Sequence, residues 1–246
     1  MTITERLPAR LSTLDVEEKR TLVQRLFTRI APQYDWFNRL ASCGLDQRWR
    51  KDVLARGGIQ PGQRILDVCT GTGDLAILCA KRQHGQGAVI GIDMNSGMLT
   101  LAHRKQRSQD LAVDWLQGDA EALPFASGSF DRVVIGFSTR NLGNLTNGLR
   151  EMVRVLKPQG RLIILETGYP SHPVVRFGYQ AFLFTFARGI GWVLTGRLWP
   201  FTYLARSVRE FLTPEQVVER LRNVQTTVEH VPLSRGLASL YLATKT

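Results

Sequence analysis

Acidic side chains are scarce in this chain: 21 Asp and Glu stand against 32 Lys and Arg in 246 residues, a net charge of +11. That balance excludes an acidic surface and suits an anionic partner, nucleic acid or a lipid head-group layer. The cations are spread rather than gathered, and no nucleic-acid module stands out. Cysteine is scarce too: Cys43, Cys69 and Cys79 match no disulfide framework and no metal spacing, so a reducing cytoplasm is expected. The four histidines (His84, His103, His172, His230) form no paired ligand motif, and no metal is assigned. The first twenty residues lack the apolar stretch of a secretory signal. No run of about 20 apolar residues is free of charge, which argues against a spanning helix. Internal repeats and low-complexity segments are absent.

What the chain does have is a glycine turn between two apolar segments. Ile65, Leu66 and Val68 read as a buried parallel strand; Gly71-Thr72-Gly73 break it, and Leu75, Ala76, Leu78 and Cys79 open a helix. A strand, a tight turn and a helix N-terminus together hold nucleotide-like ligands in α/β proteins. The glycines alone fit a dinucleotide pattern, a weak signal. Asp67 and Asp74 bracket the turn, and carboxylates so placed repel a pyrophosphate and attract a cation. S-adenosylmethionine, with its ammonium and sulfonium, suits the turn better than NAD.

Two further acidic strand ends agree. Ala88–Asp93 reads as a second buried strand whose terminal Asp93 can accept ribose hydroxyls, with helix capping as the plainer role. Asp119 follows a third strand at 113–116, placed to take an adenine amine or simply to sit in a solvated turn. Strand four is expected over 130–137, a helix over 145–156 and strand five over 161–166, with Lys157-Pro158-Gln159-Gly160 as the turn between. Strands near 225–231 and 237–243 complete the sheet as an antiparallel hairpin. The order implies right-handed crossovers and a ligand at the carboxyl ends of the strands.

Four segments emerge. Residues 1–60 read as an N-terminal helical cap, with an amphipathic helix over 15–30 and an aromatic, basic stretch (Tyr34, Trp36, Phe37, Arg39, Trp49, Arg50, Lys51) behind it. Residues 61–171 are the α/β core, and 213–246 a helix and hairpin that finish it. Residues 172–212 interrupt the pattern as an insertion rich in aromatics (Phe177, Tyr179, Phe182, Phe184, Phe186, Trp192, Trp199, Phe201, Tyr203), interleaved with Arg176, Arg188, Arg197 and Arg206. Rings with interleaved cations suit an interfacial helix. A lid with its aromatics in a core is the plainer reading, and a greasy substrate reconciles the two.

Tyr34-Asp35-Trp36-Phe37-Asn38, Gly44, Trp49-Arg50, the Asp67–Asp74 turn, the stretch Asp119 to Phe125, Ser129-Phe130-Asp131, Arg140-Asn141 and Arg154 to Pro158 are together similar to the ubiquinone/menaquinone-biosynthesis C-methyltransferases, from about residue 22 to the C-terminus. The resemblance implies a class I S-adenosylmethionine-dependent methyltransferase fold, a Rossmann-like, mostly parallel sheet. It implies cofactor contacts at Thr72, Asp93, Asp119 and Ala120, with Gly136 and Phe137 lining the far side; Asp67, Gly71, Gly73 and Met94 complete the expected cofactor set. Departures are visible: Phe137-Ser138-Thr139-Arg140-Asn141 where the family has Phe-Gly-Leu/Ile-Arg-Asn, Asp46-Gln47 for His-Arg, Arg39 for an Asp, and Gln159 for a Gly. None removes a cofactor contact; together they place the chain on a side branch.

The chemistry this implies is methylation of a ring carbon on a prenylated quinol, demethylmenaquinol first and the phylloquinone- or ubiquinone-pathway quinols as rivals. Positioning and exclusion of water supply most of the acceleration. Arg140 is the candidate to stabilise the ring oxygen, with Asn141 orienting and Tyr34 closing from the cap. The plainer role for Arg140 is a salt bridge to Glu166 at the neighbouring strand end. The quinol comes from the membrane, so peripheral association with an anionic cytoplasmic face is expected, and a homodimer is admitted. A nucleic-acid methyltransferase suits the charge but lacks an Asn/Asp-Pro-Pro-Tyr/Phe motif and a cysteine nucleophile after strand four. A binding protein that has lost catalysis is disfavoured by the intact acidic and glycine set.

Overall fold

The computed structural model describes residues 7–8, 10–109, 111–168, 170, 173–187, 189, 192–193, 196 and 198–246. His172, Arg188 and Arg197 lie outside the described residues. A capping box opens helix α1 (Val16–Ile30): Asp15 accepts from the Glu18 amide while Glu18 accepts from the Asp15 amide. Helices α2 (Tyr34–Ala41) and α3 (Leu45–Arg56) follow, the second entered through Gly44 at φ +77°, a conformation that glycine adopts without steric cost. Alternation then sets in: β1 (Arg64–Val68), α4 (Asp74–Gln83), β2 (Ala88–Asp93), α5 (Ser96–Arg107), β3 (Asp114–Gln117), β4 (Phe130–Gly136), α6 (Leu145–Val155) and β5 (Leu156–Thr167). Helices α7 (Pro173–Phe182), α8 (Trp199–Glu210) and α9 (Pro214–Arg222) precede the hairpin of β6 (Thr226–Leu233) and β7 (Ala238–Lys245).

The seven strands lie in the order β3-β2-β1-β4-β5-β7-β6. The first five pair in parallel, and β7 runs antiparallel between β5 and β6. Because β1 sits between β2 and β4, the chain reverses its direction of winding there, and the crevice opens beyond the carboxyl ends of β1 and β4. The apolar runs of the sequence fall on these buried strands. One face packs Phe130, Leu149, Met152 and Leu221; the other packs Trp49, Val53, Ala76 and Cys79.

Two local expectations change. The stretch Lys157–Gly160 is not a turn before strand five but a bulge inside β5: Phe130 faces Leu156 and Arg132 faces Arg161. Gln159 takes φ +61°, and the Lys157 ammonium closes on Asp131 at 2.8 Å, so the extra residues fold back without ending the strand. Strand four stops at Gly136, because Phe137 turns to φ +58°.

A third core joins segments far apart in sequence. Leu11, Val23, Leu26, Ile30 and Phe37 from the N-terminal helices bury against Phe201, Tyr203, Ala205 and Val208 of α8. Phe37 and Phe201 meet at a ring separation of 4.4 Å. Phe37→Ala removes a ring only 3 % exposed from this junction and is expected to lower stability by about 3–5 kcal/mol, read by urea denaturation. A loss under about 1 kcal/mol would show that the two helical segments do not hold one another.

Candidate functional site

The turn after β1 is built around Asp67. This carboxylate is 1 % exposed, and its Oδ2 accepts from Thr70 Oγ1 at 2.5 Å and from the Ala76 amide at 3.0 Å. It ties the strand end to the first turn of α4, whose N-terminal amides otherwise lack partners. Cys69 at φ +53° and Gly71 at φ +57° reverse the chain. A side chain at Gly71 would meet no protein atom within 4 Å, so the backbone here faces open space. Gly73, expected to touch a ligand, instead lets Trp115 pack: a Cβ there would lie 2.5 Å from the indole.

The open space is a cavity of about 1030 Å³, solvent at its mouth included. Of the residues expected to bind a cofactor, Asp67, Gly71, Thr72, Asp93, Met94, Asp119, Ala120, Gly136 and Phe137 line it, while Gly73 does not. Asp93 is one of its lining carboxylates. Its Oδ2 accepts from the Gly71 amide at 2.8 Å and its Oδ1 from the Asn95 amide at 2.8 Å. An ionised carboxylate has about four acceptor positions, so both oxygens keep capacity for hydroxyls. Asn95, not Asp93, caps α5 by accepting from Met98.

The other carboxylates are partly spent. Asp74 pairs with Lys105 at 2.6 Å and Arg50 at 3.5 Å, and therefore does not act as a free anion beside the turn. Thr72 donates to Asp35 Oδ1 at 2.6 Å and accepts from Lys105, which turns its hydroxyl towards α2. Asp119 accepts from Arg20 of α1 at 2.8 Å. Even so, the lining carries five carboxyl groups (Asp67, Asp74, Asp93, Asp119, Glu121), of which Asp67 is held partly protonated by burial, against two guanidiniums (Arg20, Arg50). A nucleoside that carries positive charge fits this wall and a pyrophosphate does not. The donor set, the acidic excess and the open backbone at Gly71 all fit S-adenosylmethionine.

A second cavity, of about 1430 Å³ with solvent at its mouth included, lies beyond Phe27, Tyr34, Phe137 and Asn141, residues that line both spaces. Its wall is mainly apolar: Leu26, Ile30, Phe37, Phe182, Phe201 and Val208 contribute, and the polar groups among them include Tyr34, Asn38, Asp46, Arg140, Asn141, Tyr179 and Tyr203. Phe137 is held between Trp49 and the Arg50 guanidinium, which sits 5.5 Å from its ring. Burial raises the Tyr34 phenol above its ordinary value and pushes Tyr179 and Tyr203 up to about 12, so all three are hydroxyl donors at neutral pH.

Arg140 and Asn141 meet this chamber from the loop after β4. The salt bridge weighed from sequence is present: the Arg140 Nη1 pairs with Glu166, which is fully buried, and donates to the Phe137 carbonyl at 2.6 Å. Glu166 also accepts from Thr139, from the Arg140 amide and from Thr167. Burial works against the charge of Arg140, but Glu166 and the nearby tyrosines outweigh it and hold the guanidinium protonated. Arg140 therefore brings no uncompensated positive charge to the chamber. It brings an Nε–H that is buried and has no protein partner. Asn141 is alike: its Oδ1 accepts from Tyr203 Oη at 3.1 Å, and its Nδ2 is buried without a partner. Buried donors are rarely left unmade, and these two stand on consecutive residues at one wall.

Sequence reasoning missed several of these groups. Arg20, Arg50 and Lys105 carry no site role in the sequence reading, and Tyr203 is one ring among nine; their partners Asp119, Asp74 and Asn141 lie 24 or more residues away and leave no local pattern. Among the described residues no cluster of three metal-ligating side chains occurs and no helix is long and apolar enough to cross a membrane.

Asp67 also makes the fold pH-sensitive. Burial raises its pKa from 3.8 to about 7 against the opposing bonds from Thr70 and Ala76. Between those values the folded chain binds more protons than the unfolded one, so stability falls as pH rises through this window and is level above it. Asp67→Asn is expected to flatten that slope, measured by thermal or urea unfolding at pH 4.5 and 7.5; an unchanged slope would assign the titration elsewhere.

A profile of the ubiE/COQ5 methyltransferase family matches residues 13–245. A demethylmenaquinone methyltransferase of Lactobacillus johnsonii is 39% identical over 201 residues, 81% of this chain and 82% of that one. A 2-phytyl-1,4-naphtoquinone methyltransferase of Synechocystis is 37% identical over 228 residues, covering 91% and 94%. Among solved structures, a SAM-dependent methyltransferase of Thermotoga maritima superposes with a TM-score of 0.64 at 18% identity, covering 91% of this chain and 100% of that one, a likeness of fold. With the fold, the turn and the matched length in agreement, this chain belongs to the ubiE/COQ5 methyltransferase family.

Proposed function

We propose that this methyltransferase transfers a methyl group to a ring carbon of a prenylated quinol, with demethylmenaquinol as the first candidate and the phytyl-naphthoquinol and ubiquinone-pathway quinols as alternatives. The observation that carries the reading is the pair of unmade buried donors, Arg140 Nε and Asn141 Nδ2, on consecutive residues that line an apolar chamber adjoining the acidic one. Two neighbouring donors suit a ring oxygen, and an apolar chamber suits the ring and the start of its tail.

S-adenosylmethionine, when bound, supplies an electrophilic methyl. Asp93 would hold its ribose, Met94, Ala120 and Phe137 would flank its base and sulfonium end, and Asp119 would reach the adenine amine once released from Arg20. Arg140 and Asn141 would donate to the quinol oxygen and favour its ionised form, which makes the ring carbon more nucleophilic. Because Glu166 neutralises Arg140, the help is directional hydrogen bonding rather than bulk charge. Tyr34, at the junction of the two chambers, would donate from the cap side. The ring proton would leave through a water near Arg140. Glu166 is a poor base for it, since the bonds from Thr139, Arg140 and Thr167 occupy its oxygens. The core shared by the N-terminal helices and α8 walls this space on one side.

The division into cap, core, lid insertion and C-terminal completion is retained in this reading. So is membrane contact: Val174 and Phe177 on α7, with Phe186, Trp192 and Val193, are each more than half exposed, and on a chain of net charge +11 they suit an anionic bilayer surface. Self-association into a homodimer is compatible with it.

The test is transfer of a labelled methyl from S-adenosylmethionine to short-chain demethylmenaquinol, with tRNA as control, with and without dithionite. Label on the naphthoquinol only under reduction is expected; label on tRNA would overturn the reading. Asn141→Ala is expected to lower kcat by on the order of 10² while cofactor affinity is kept, and Asp93→Ala to weaken cofactor binding at least tenfold by calorimetry. Phe177→Ser should reduce co-sedimentation with anionic vesicles, and undiminished binding would remove α7 from the membrane contact.

A further inference from the structure

Asn141 presents a problem of orientation. A carboxamide has two ends of nearly equal shape, one accepting and one donating. A quinol oxygen that has lost its proton can only accept, so the amide helps only if its nitrogen faces the chamber. Turned by 180°, it would set an oxygen lone pair against a developing anion.

One contact decides between these states. Tyr203 Oη lies 3.1 Å from Asn141 Oδ1, with the ring 2 % exposed. The Tyr203 hydroxyl donates to Asn141 Oδ1, which turns Oδ1 to α8 and leaves Nδ2 as the buried, unpartnered donor. Tyr203 is held in turn: neighbouring Phe201 packs on Phe37 of α2, and Ala205 and Val208 bury in the same core. The orientation of a group in the loop after β4 is therefore set by a helix 62 residues later in the chain.

We infer that Tyr203 is a positioning residue for methyl transfer: its hydroxyl fixes the Asn141 amide with Nδ2 towards the substrate oxygen, so that docking of α8 completes the donor set. The inference rests on the reading of Asn141 given under the proposed function. Tyr203→Phe keeps the ring and its packing and deletes only the hydroxyl.

The experiment is a double-mutant cycle on kcat with Tyr203→Phe, Asn141→Ala and the double variant, cofactor affinity serving as the check on folding. Tyr203→Phe is expected to lower kcat roughly tenfold, the factor that about 1.4 kcal/mol carries, with KM for the quinol and affinity for S-adenosylmethionine little changed. In the Asn141→Ala background the same change should cost nothing more, because the group it orients is gone. Equal losses in both backgrounds, or normal turnover by Tyr203→Phe beside an impaired Asn141→Ala, would overturn the positioning role and leave the quinol reading standing. Normal turnover by Asn141→Ala would overturn both. A general packing role for Tyr203 predicts additive losses and weaker cofactor binding, and so is told apart.

Discussion

The buried carboxylate of Glu166 organises the substrate side of this molecule. It stands at the end of β5, and from there it gathers Thr139, the backbone and guanidinium of Arg140, and Thr167. An unpaired carboxylate at zero exposure would cost several kcal/mol, so the loop after β4 is compelled to fold onto it. That compulsion fixes Phe137 in its left-handed turn and places Asn141 where the two cavities meet. The pair is thus more than a surface ornament: removing the arginine alone would strand a buried anion and disturb every group downstream of it.

The cofactor side obeys a different constraint. Asp67 is a structural carboxylate that joins strand to helix, whereas Asp93 keeps acceptor capacity towards the cavity. Around them Lys105, Arg50 and Arg20 tie the turn and the loop after β3 to the N-terminal helices. Lys105 bridges Asp74 and Asp35, the latter on α2, so the cap is bound electrostatically to the rim of the cavity it covers. These partly exposed pairs are individually weak, but their placement couples cap position to the acidic wall.

Much of this was legible beforehand. The apolar strand runs, the glycine turn, the acidic ends of β1 and β2 and the terminal hairpin follow from local pattern, because a buried parallel strand must be apolar on both faces and a tight turn needs left-handed backbone. The bulge at Lys157–Gly160 was hidden, since Lys-Pro-Gln-Gly carries turn residues whether or not the ladder continues past them. The aromatic insertion was visible as composition, but its division was not: Phe201 and Tyr203 bury in a core, while Phe177 and Trp192 face outward.

The sequence alone determined the fold class, the place of the nucleoside site and the kind of ligand charge it accepts, because these depend on periodicity and on residues adjacent in the chain. Only the tertiary structure decided which carboxylates remain available, that Arg140 is neutralised by Glu166, and that Tyr203 addresses Asn141. The pairings behind them, such as Asp74 with Arg50, Arg140 with Glu166 and Tyr203 with Asn141, join side chains 24 or more residues apart, and no spacing along a chain encodes a contact that forms only when separate elements are packed against one another.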